Sequence, residues 1–183
     1  MAFFIRKFDQ AKWDSSVEAY IKSGKDKKCI NGDTFSKCLF TTGNTLSVWH
    51  SETSNWDEIT NLLAVIFSAS DGPSRSDIII INETDLAGID ITNEIGGAPV
   101  NIEYNKLHRN FSNINYESMG YVAERIATII MEDCEKEESV RRYRRFSEKK
   151  VESIVKKAAD IGIIDLEKAR LKERWARRFE PTT

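Results

Sequence analysis

Asp77-Ile78-Ile79-Ile80-Ile81-Asn82 is the stretch on which the fold of this chain turns. Four consecutive isoleucines between two polar residues form an apolar run too short for a core helix. Their β-branched side chains favour extended backbone. A strand with no polar alternation is buried on both faces, so the run predicts a central strand.

Outward from it, the flanking sequence supplies helices and further strands. Upstream, Ile59, Leu62, Leu63, Ile66 and Phe67 fall at i, i+3, i+4, i+7 and i+8, a full apolar stripe of a helix over residues 54–68. Ser54 and Asp57 fit a capping box at its start, and Asp71-Gly72-Pro73 ends it. Residues 37–50 predict a hairpin, with KCLFTT and TLSVWH on either side of Gly43-Asn44, a pair that tolerates the positive φ of a tight turn. Residues 2–8 alternate as a strand. Trp13, Val17 and Tyr20 or Ile21 recur at helical spacing, with Gly24 as the left-handed stop. Downstream the signal fades between Glu83 and Asn115. Ile89 and Ile91 suggest a short edge strand, Gly96-Gly97-Ala98-Pro99 a turn, and residues 100–104 another strand. Asn115 then caps a helix with its stripe at Met119, Val122, Ala123, Ile126, Ile129 and Ile130. The expected fold is α+β, a small, mostly antiparallel sheet with packed helices, followed by a C-terminal helical hairpin.

Charge divides the chain more sharply than hydropathy does. Residues 139–183 hold fourteen Lys/Arg against seven Asp/Glu, whereas residues 51–138 hold five against seventeen. The formal net charge of −2 over 183 residues conceals this asymmetry. An acidic middle followed by a basic end points to a binding surface without naming what binds. On one helical wheel, Val140, Tyr143, Val151, Ile154, Val155, Ala158 and Ile161 take one side, and Arg141, Arg142, Arg145, Lys149 and Lys156 the other. Gly162 sits where a C-cap glycine belongs. Asp165 begins a last helix with Leu166, Ala169, Trp175, Ala176 and Phe179, which Pro181 ends. The pairs Glu137/Arg141, Glu138/Arg142, Glu152/Lys156 and Glu173/Arg177 have the i, i+4 spacing that supports a helix. The stripe is interrupted at Asp133, Lys136 and Glu137. This predicts a core domain over residues 1–138 and a basic amphipathic hairpin over residues 139–183, the boundary lying between Cys134 and Ser139.

Several classes of function find no support in the residues. The chain has no Walker loop, no G-x-G-x-x-G, no G-x-S-x-G and no H-E-x-x-H. Its longest apolar runs, residues 62–67 and 78–81, fall far short of the roughly 20 residues that a membrane helix needs. The start MAFFIRKFDQ lacks the pattern of a signal peptide. Three widely spaced cysteines, Cys29, Cys38 and Cys134, suggest reduced thiols and a cytoplasmic protein. Cys29, Cys38, His50 and His108 lack the close pairs that pre-form a zinc site, so no metal and no cofactor are expected.

Two clusters merit weighing for chemistry. Asp77, Asp90 and Glu103 with Lys106 loosely resemble the carboxylates and lysine of metal-dependent nucleases. There, carboxylate and lysine project from one strand face at i, i+2. Glu103 and Lys106 are at i, i+3, so on a strand they diverge. Arg141-Arg142-Tyr143-Arg144-Arg145-Phe146 interleaves aromatic residues with arginines, as nucleic-acid-binding segments do. A solvated basic face on an amphipathic helix accounts for the same pattern without a ligand. His108 beside Arg109 has no visible nucleophile to serve.

The turn Gly162-Ile163-Ile164-Asp165-Leu166-Glu167 resembles that of the short helical hairpins appended to many bacterial proteins, the SHOCT type. The likeness is confined to this C-terminal stretch and implies an interaction module. Two such helices cannot bury Trp175, Phe179, Val151 and Ile154 against each other alone. The expected function is therefore a non-enzymatic accessory or adaptor subunit. It would dock on a larger protein partner, or on a second copy, through these four residues. The alternative is a nucleic-acid-binding protein, or a divergent metal-dependent nuclease, gripping a polyanion with Arg141, Arg142, Arg145 and Lys149.

Overall fold

The isoleucine strand lies one place in from the edge of a six-stranded sheet. The computed structural model describes residues 2–8, 13–36, 38–39, 41–86, 88–93, 101–164 and 175. In chain order its elements are β1 (Phe3–Phe8), α1 (Trp13–Lys22), β2 (Leu46–Ser51), α2 (Thr60–Ser68), β3 (Ser76–Asn82) and β4 (Asp90–Asn93). There follow the single turn α3 (Ile102–Asn105), β5 (His108–Ser112), α4 (Tyr116–Asp133), β6 (Tyr143–Phe146) and α5 (Glu148–Asp160). The strand order is β4-β5-β2-β1-β3-β6, and every pair is antiparallel. The α+β class and the antiparallel sheet expected from the sequence are both present.

Strand β3 is buried because it has neighbours on both edges and helices over both faces. It pairs with β1 from Phe3↔Asn82 to Phe8↔Asp77, and with β6 from Ser76↔Phe146 to Ile79↔Tyr143. Alternation sends Ile78 and Ile80 to one face, where they pack with Ile5, Phe146, α2 and α5. Ile79 and Ile81 go to the other, with Phe4, Phe8, Trp13 and α4. All four isoleucines are essentially inaccessible to solvent, and each burial contributes about 1.5–3 kcal/mol.

The C-terminal segment departs most from expectation. Residues 143–146 are not helical; they form the edge strand β6. A 3₁₀ turn over Glu138–Val140 precedes it, so Glu137/Arg141 and Glu138/Arg142 do not stack along a helix. Ser147, whose side chain accepts from the Lys150 amide, then caps α5. The apolar stripe of α5 lies on α2 within the same core. A core ending at residue 138 would lack this strand and this helix, so the described residues do not divide at the expected boundary. Residues 165–174 and 176–183, where the second helix of the hairpin was expected, lie outside the described residues apart from Trp175.

Three smaller corrections follow, the first of them caused by pairing between residues distant in sequence. Gly43 and Asn44 take the positive φ expected of the turn, 58° and 59°, but among the described residues before them only Thr42 bridges Thr45. Strand β2 pairs instead with β1 and β5. Residues 102–105 are helical rather than extended. Helix α2 starts at Thr60, and the turn before it is held by the Asn55 side chain, which accepts from the Asp57 amide at 2.9 Å.

Candidate partner-docking site at the edge strand

Strand β6 joins the sheet through a buried polar network on the face covered by α1 and α4. Asp77, fully buried on β3, accepts from Arg145 Nε at 2.7 Å and from the Tyr143 hydroxyl at 3.1 Å. Arg145 Nη1 also reaches the exposed Asp14 on α1. Burial alone would lower the guanidinium pKa. The bonds to Asp77 and Asp14 outweigh it, and on balance raise the pKa above the ordinary value. Burial, followed by the Asp77 charge, pushes the Tyr143 phenol up, so it stays a donor. At the end of α4 the buried Asp133 accepts from the amides of Arg142 and Tyr143 at 2.5 and 2.7 Å, and Lys136 Nζ lies 3.1 Å away. One carboxylate thus holds the start of β6 against the helix.

The arginines of this segment divide by partner. Arg142 bonds Asp85 at 3.0 Å and Glu132 at 3.2 Å, and Arg145 is held by Asp77 and Asp14. Arg141 and Arg144 have no carboxylate partner among the described residues. Arg141 Nε donates to the Lys136 carbonyl at 2.8 Å. Arg144 donates to the Glu138 and Ser139 carbonyls at 2.7 and 3.3 Å. Its guanidinium lies 4.6 Å from the centre of the Trp56 ring, a cation–π contact. The Trp56 indole in turn donates to the Arg141 carbonyl at 2.7 Å. Arg144 Nε is buried without an acceptor, which costs about 1–3 kcal/mol. Burial lowers the Arg144 pKa.

Two clefts meet at these arginines. One, about 610 Å³, runs between α1, the end of α4 and β6; its walls include Val17, Ile21, Ile130 and Cys134 as well as Arg141, Arg144 and Arg145. Asp14, Glu18, Asp133 and Glu138 also line it, so its charge is mixed. The other, about 500 Å³, lies between residues 53–57 and residues 139–142, with Arg144 at its side. Exposed Val140 stands at its rim.

The docking residues expected from sequence do not form a surface. Val151 and Ile154 are buried against α2, and Trp175 is fully buried, its indole donating to the Ser70 carbonyl at 3.1 Å. Trp175, Val151 and Ile154 are core residues, because the apolar faces that two helices cannot cover together are covered by the sheet and α2. Phe179 lies outside the described residues. The polyanion set is also dispersed: Arg142 and Arg145 are bound to carboxylates, and Lys149 lines a separate shallow cleft on α5. Arg144, absent from both sets, is the residue that the wheel missed. Strand alternation places it with Phe146, opposite Tyr143 and Arg145.

The nuclease-like residues are not assembled either. Asp90 is on β4 at the opposite edge of the sheet from Arg145-bound Asp77, and Glu103 bonds Lys106 on the short α3 turn at 2.8 Å. Among the described residues, no group of three or more His, Cys, Asp or Glu is placed to hold a metal ion. Cys38 is buried with its Sγ 3.3 Å from the donating Trp13 indole, and burial pushes its thiol up to about 11. His50 and His108 pack edge-on against Phe4 and Trp49 respectively. No described helix is long and apolar enough to cross a membrane. Comparison of the chain with family models, with curated proteins and with solved structures gives no match.

Proposed function

We propose that this chain is a non-enzymatic accessory subunit that docks on a larger protein partner. Its docking face is the margin of β6, not the apolar side of the C-terminal helices. The observation that supports this reading is the pair Arg141 and Arg144. They are two guanidinium groups without carboxylate partners among the described residues, set where two clefts meet and beside exposed Val140. Salt bridging has neutralised the other arginines of the segment, which removes the continuous positive stripe that a nucleic-acid backbone needs. The four acidic residues in the larger cleft act in the same direction.

The test is affinity capture from a nuclease-treated lysate of the native host, with the wild-type chain and the Arg141→Glu/Arg144→Glu variant side by side. A protein enriched by the wild type and lost with the variant is the expected result. Loss of all enrichment on nuclease treatment, or equal enrichment by both chains, would overturn the reading. The variant loses the bonds of Arg141 to the Lys136 carbonyl and of Arg144 to the Glu138 and Ser139 carbonyls, so both chains are melted first and the capture is run below both transitions.

A further inference from the structure

We infer that the cleft between residues 53–57 and residues 139–142 recognises an acidic segment of the partner protein, one of its carboxylates lying on Arg141 and Arg144. This rests on the docking reading and specifies its chemistry. Three features converge on a carboxylate. Arg141, Arg142 and Arg144 line the cleft together, and Asp57, the one carboxylate of its lining, acts on Arg144 by charge but makes no ion pair with Arg141 or Arg144. Arg144 lies over Trp56, 4.6 Å from the ring centre; one Nη holds the Glu138 and Ser139 carbonyls, and the rest of its planar fork can bond an entering carboxylate. Its Nε is buried with no acceptor, and a small shift of the guanidinium toward an entering carboxylate would supply one. Charge complementarity therefore favours an acidic occupant over a neutral one. Val140, 62% exposed at the rim, offers apolar contact to a residue beside the carboxylate. The walls are built from two stretches distant in sequence, tied together by the Trp56 indole on the Arg141 carbonyl. The site is thus present before anything binds.

A displayed peptide library with Asp or Glu fixed at alternate positions, and a matched library with Lys there, are the probes. Selection on the wild-type chain should enrich the acidic library alone. The selected peptides, labelled with fluorescein, should lose at least tenfold in affinity toward Arg144→Gln and toward Arg141→Gln. Arg144→Lys keeps the charge but loses the fork, so it should also weaken binding several-fold at a temperature below its measured melting transition. This second arm holds if Arg144→Gln fails to fold. Enrichment of the lysine library, no enrichment of either, equal affinity for the variants, or displacement of the peptides by labelled oligothymidylate would each overturn the inference. If it fails while the host protein is still lost with the Arg141→Glu/Arg144→Glu variant, docking stands and acid recognition does not. If that protein is also retained by the variant, both fall.

Discussion

The two faces of the sheet are built on different principles. On the face under α2 and α5, Ile5, Ile78, Ile80, Leu63, Phe67, Val155 and their neighbours form the apolar cluster, and the buried polar residues beside them include Ser68, Ser76 and His108 but, among the described residues, no Asp, Glu, Lys or Arg. On the face under α1 and α4, the apolar cluster shares its space with Arg6, Asp77 and Tyr143. Buried Arg6 donates from Nε to the Cys38 carbonyl at 2.8 Å and from Nη1 to the Ser47 carbonyl at 2.7 Å, pinning the loop before β2. The C-terminal segment is secured to both faces, but differently. Its helix supplies area to the apolar face, and its strand supplies fixed bonds to the polar one. Non-directional burial holds an element down without setting its register. Directional bonds to Asp77 and Asp133 set the register of β6, and with it the places of Arg141 and Arg144.

Removing residues 139–183 should have the largest effect. It would take Phe146, Val151, Ile154, Val155, Ala158 and Trp175 out of the core. At about 1.5–3 kcal/mol for each large apolar side chain, the loss matches the whole stability of a typical domain, about 5–15 kcal/mol. A chain ending at residue 138 should lack a cooperative melting transition. A sharp transition with native-like near-ultraviolet dichroism would restore the boundary that the charge pattern suggested.

Single substitutions sharpen the contrast between the faces. Trp175→Ala removes a fully buried indole and its bond to Ser70, and should cost about 3–5 kcal/mol in urea unfolding. That loss would appear as stability, not as a change in partner affinity at a temperature where the chain stays folded. Asp77→Ala takes from Arg145 its buried carboxylate while the exposed Asp14 remains, and breaking such a buried pair costs about 3–5 kcal/mol. The double variant Asp77→Ala/Arg145→Met should recover part of it. If Asp77→Ala alone costs under about 1 kcal/mol, the polar face is not what holds β6.

The smallest expected effect is on Cys38. Its folded thiol is raised to about 11 from an ordinary value of 9.0, chiefly by burial. The folded state therefore keeps a proton that the unfolded state loses. The associated stability is complete below pH 9 and is lost as pH rises toward 11. Cys38→Ala should flatten that part of the profile. In native buffer a thiol reagent should modify exposed Cys29 rapidly and spare Cys38 until the chain unfolds.

Much of the fold was legible where the deciding interactions are local or strongly patterned. The isoleucine strand, α1 with its positive-φ Gly24 and α4 with its Asn115 cap lie where the residues place them, as does the end of α5 at Gly162. Strand β6 was not legible for a physical reason. Edge strands carry charge that discourages further pairing, and four arginines in six residues erase the apolar alternation of a strand. Val140 and Tyr143 happen to continue the spacing of the α5 stripe, so the segment mimics a helix. Strand β5 was lost in the same way, with Asn110 and His108 buried among few apolar residues. The site was still less visible. Arg145 finds Asp77 and Asp14 across 68 and 131 residues, and which arginines remain without a carboxylate is decided only by those pairings.

Residues 143–146 complete the sheet and so fix the places of Arg141 and Arg144. Amide hydrogen exchange of the full chain tests it most directly at Ile80, whose N–H donates to the Arg142 carbonyl at 2.8 Å across the β3–β6 pair. The account predicts that Ile80 exchanges as slowly as the amides at the centre of β1, with Ile78 close behind. Exchange at Ile80 as fast as in the exposed loop at Lys25–Lys28, while β1 stays protected, would contradict it.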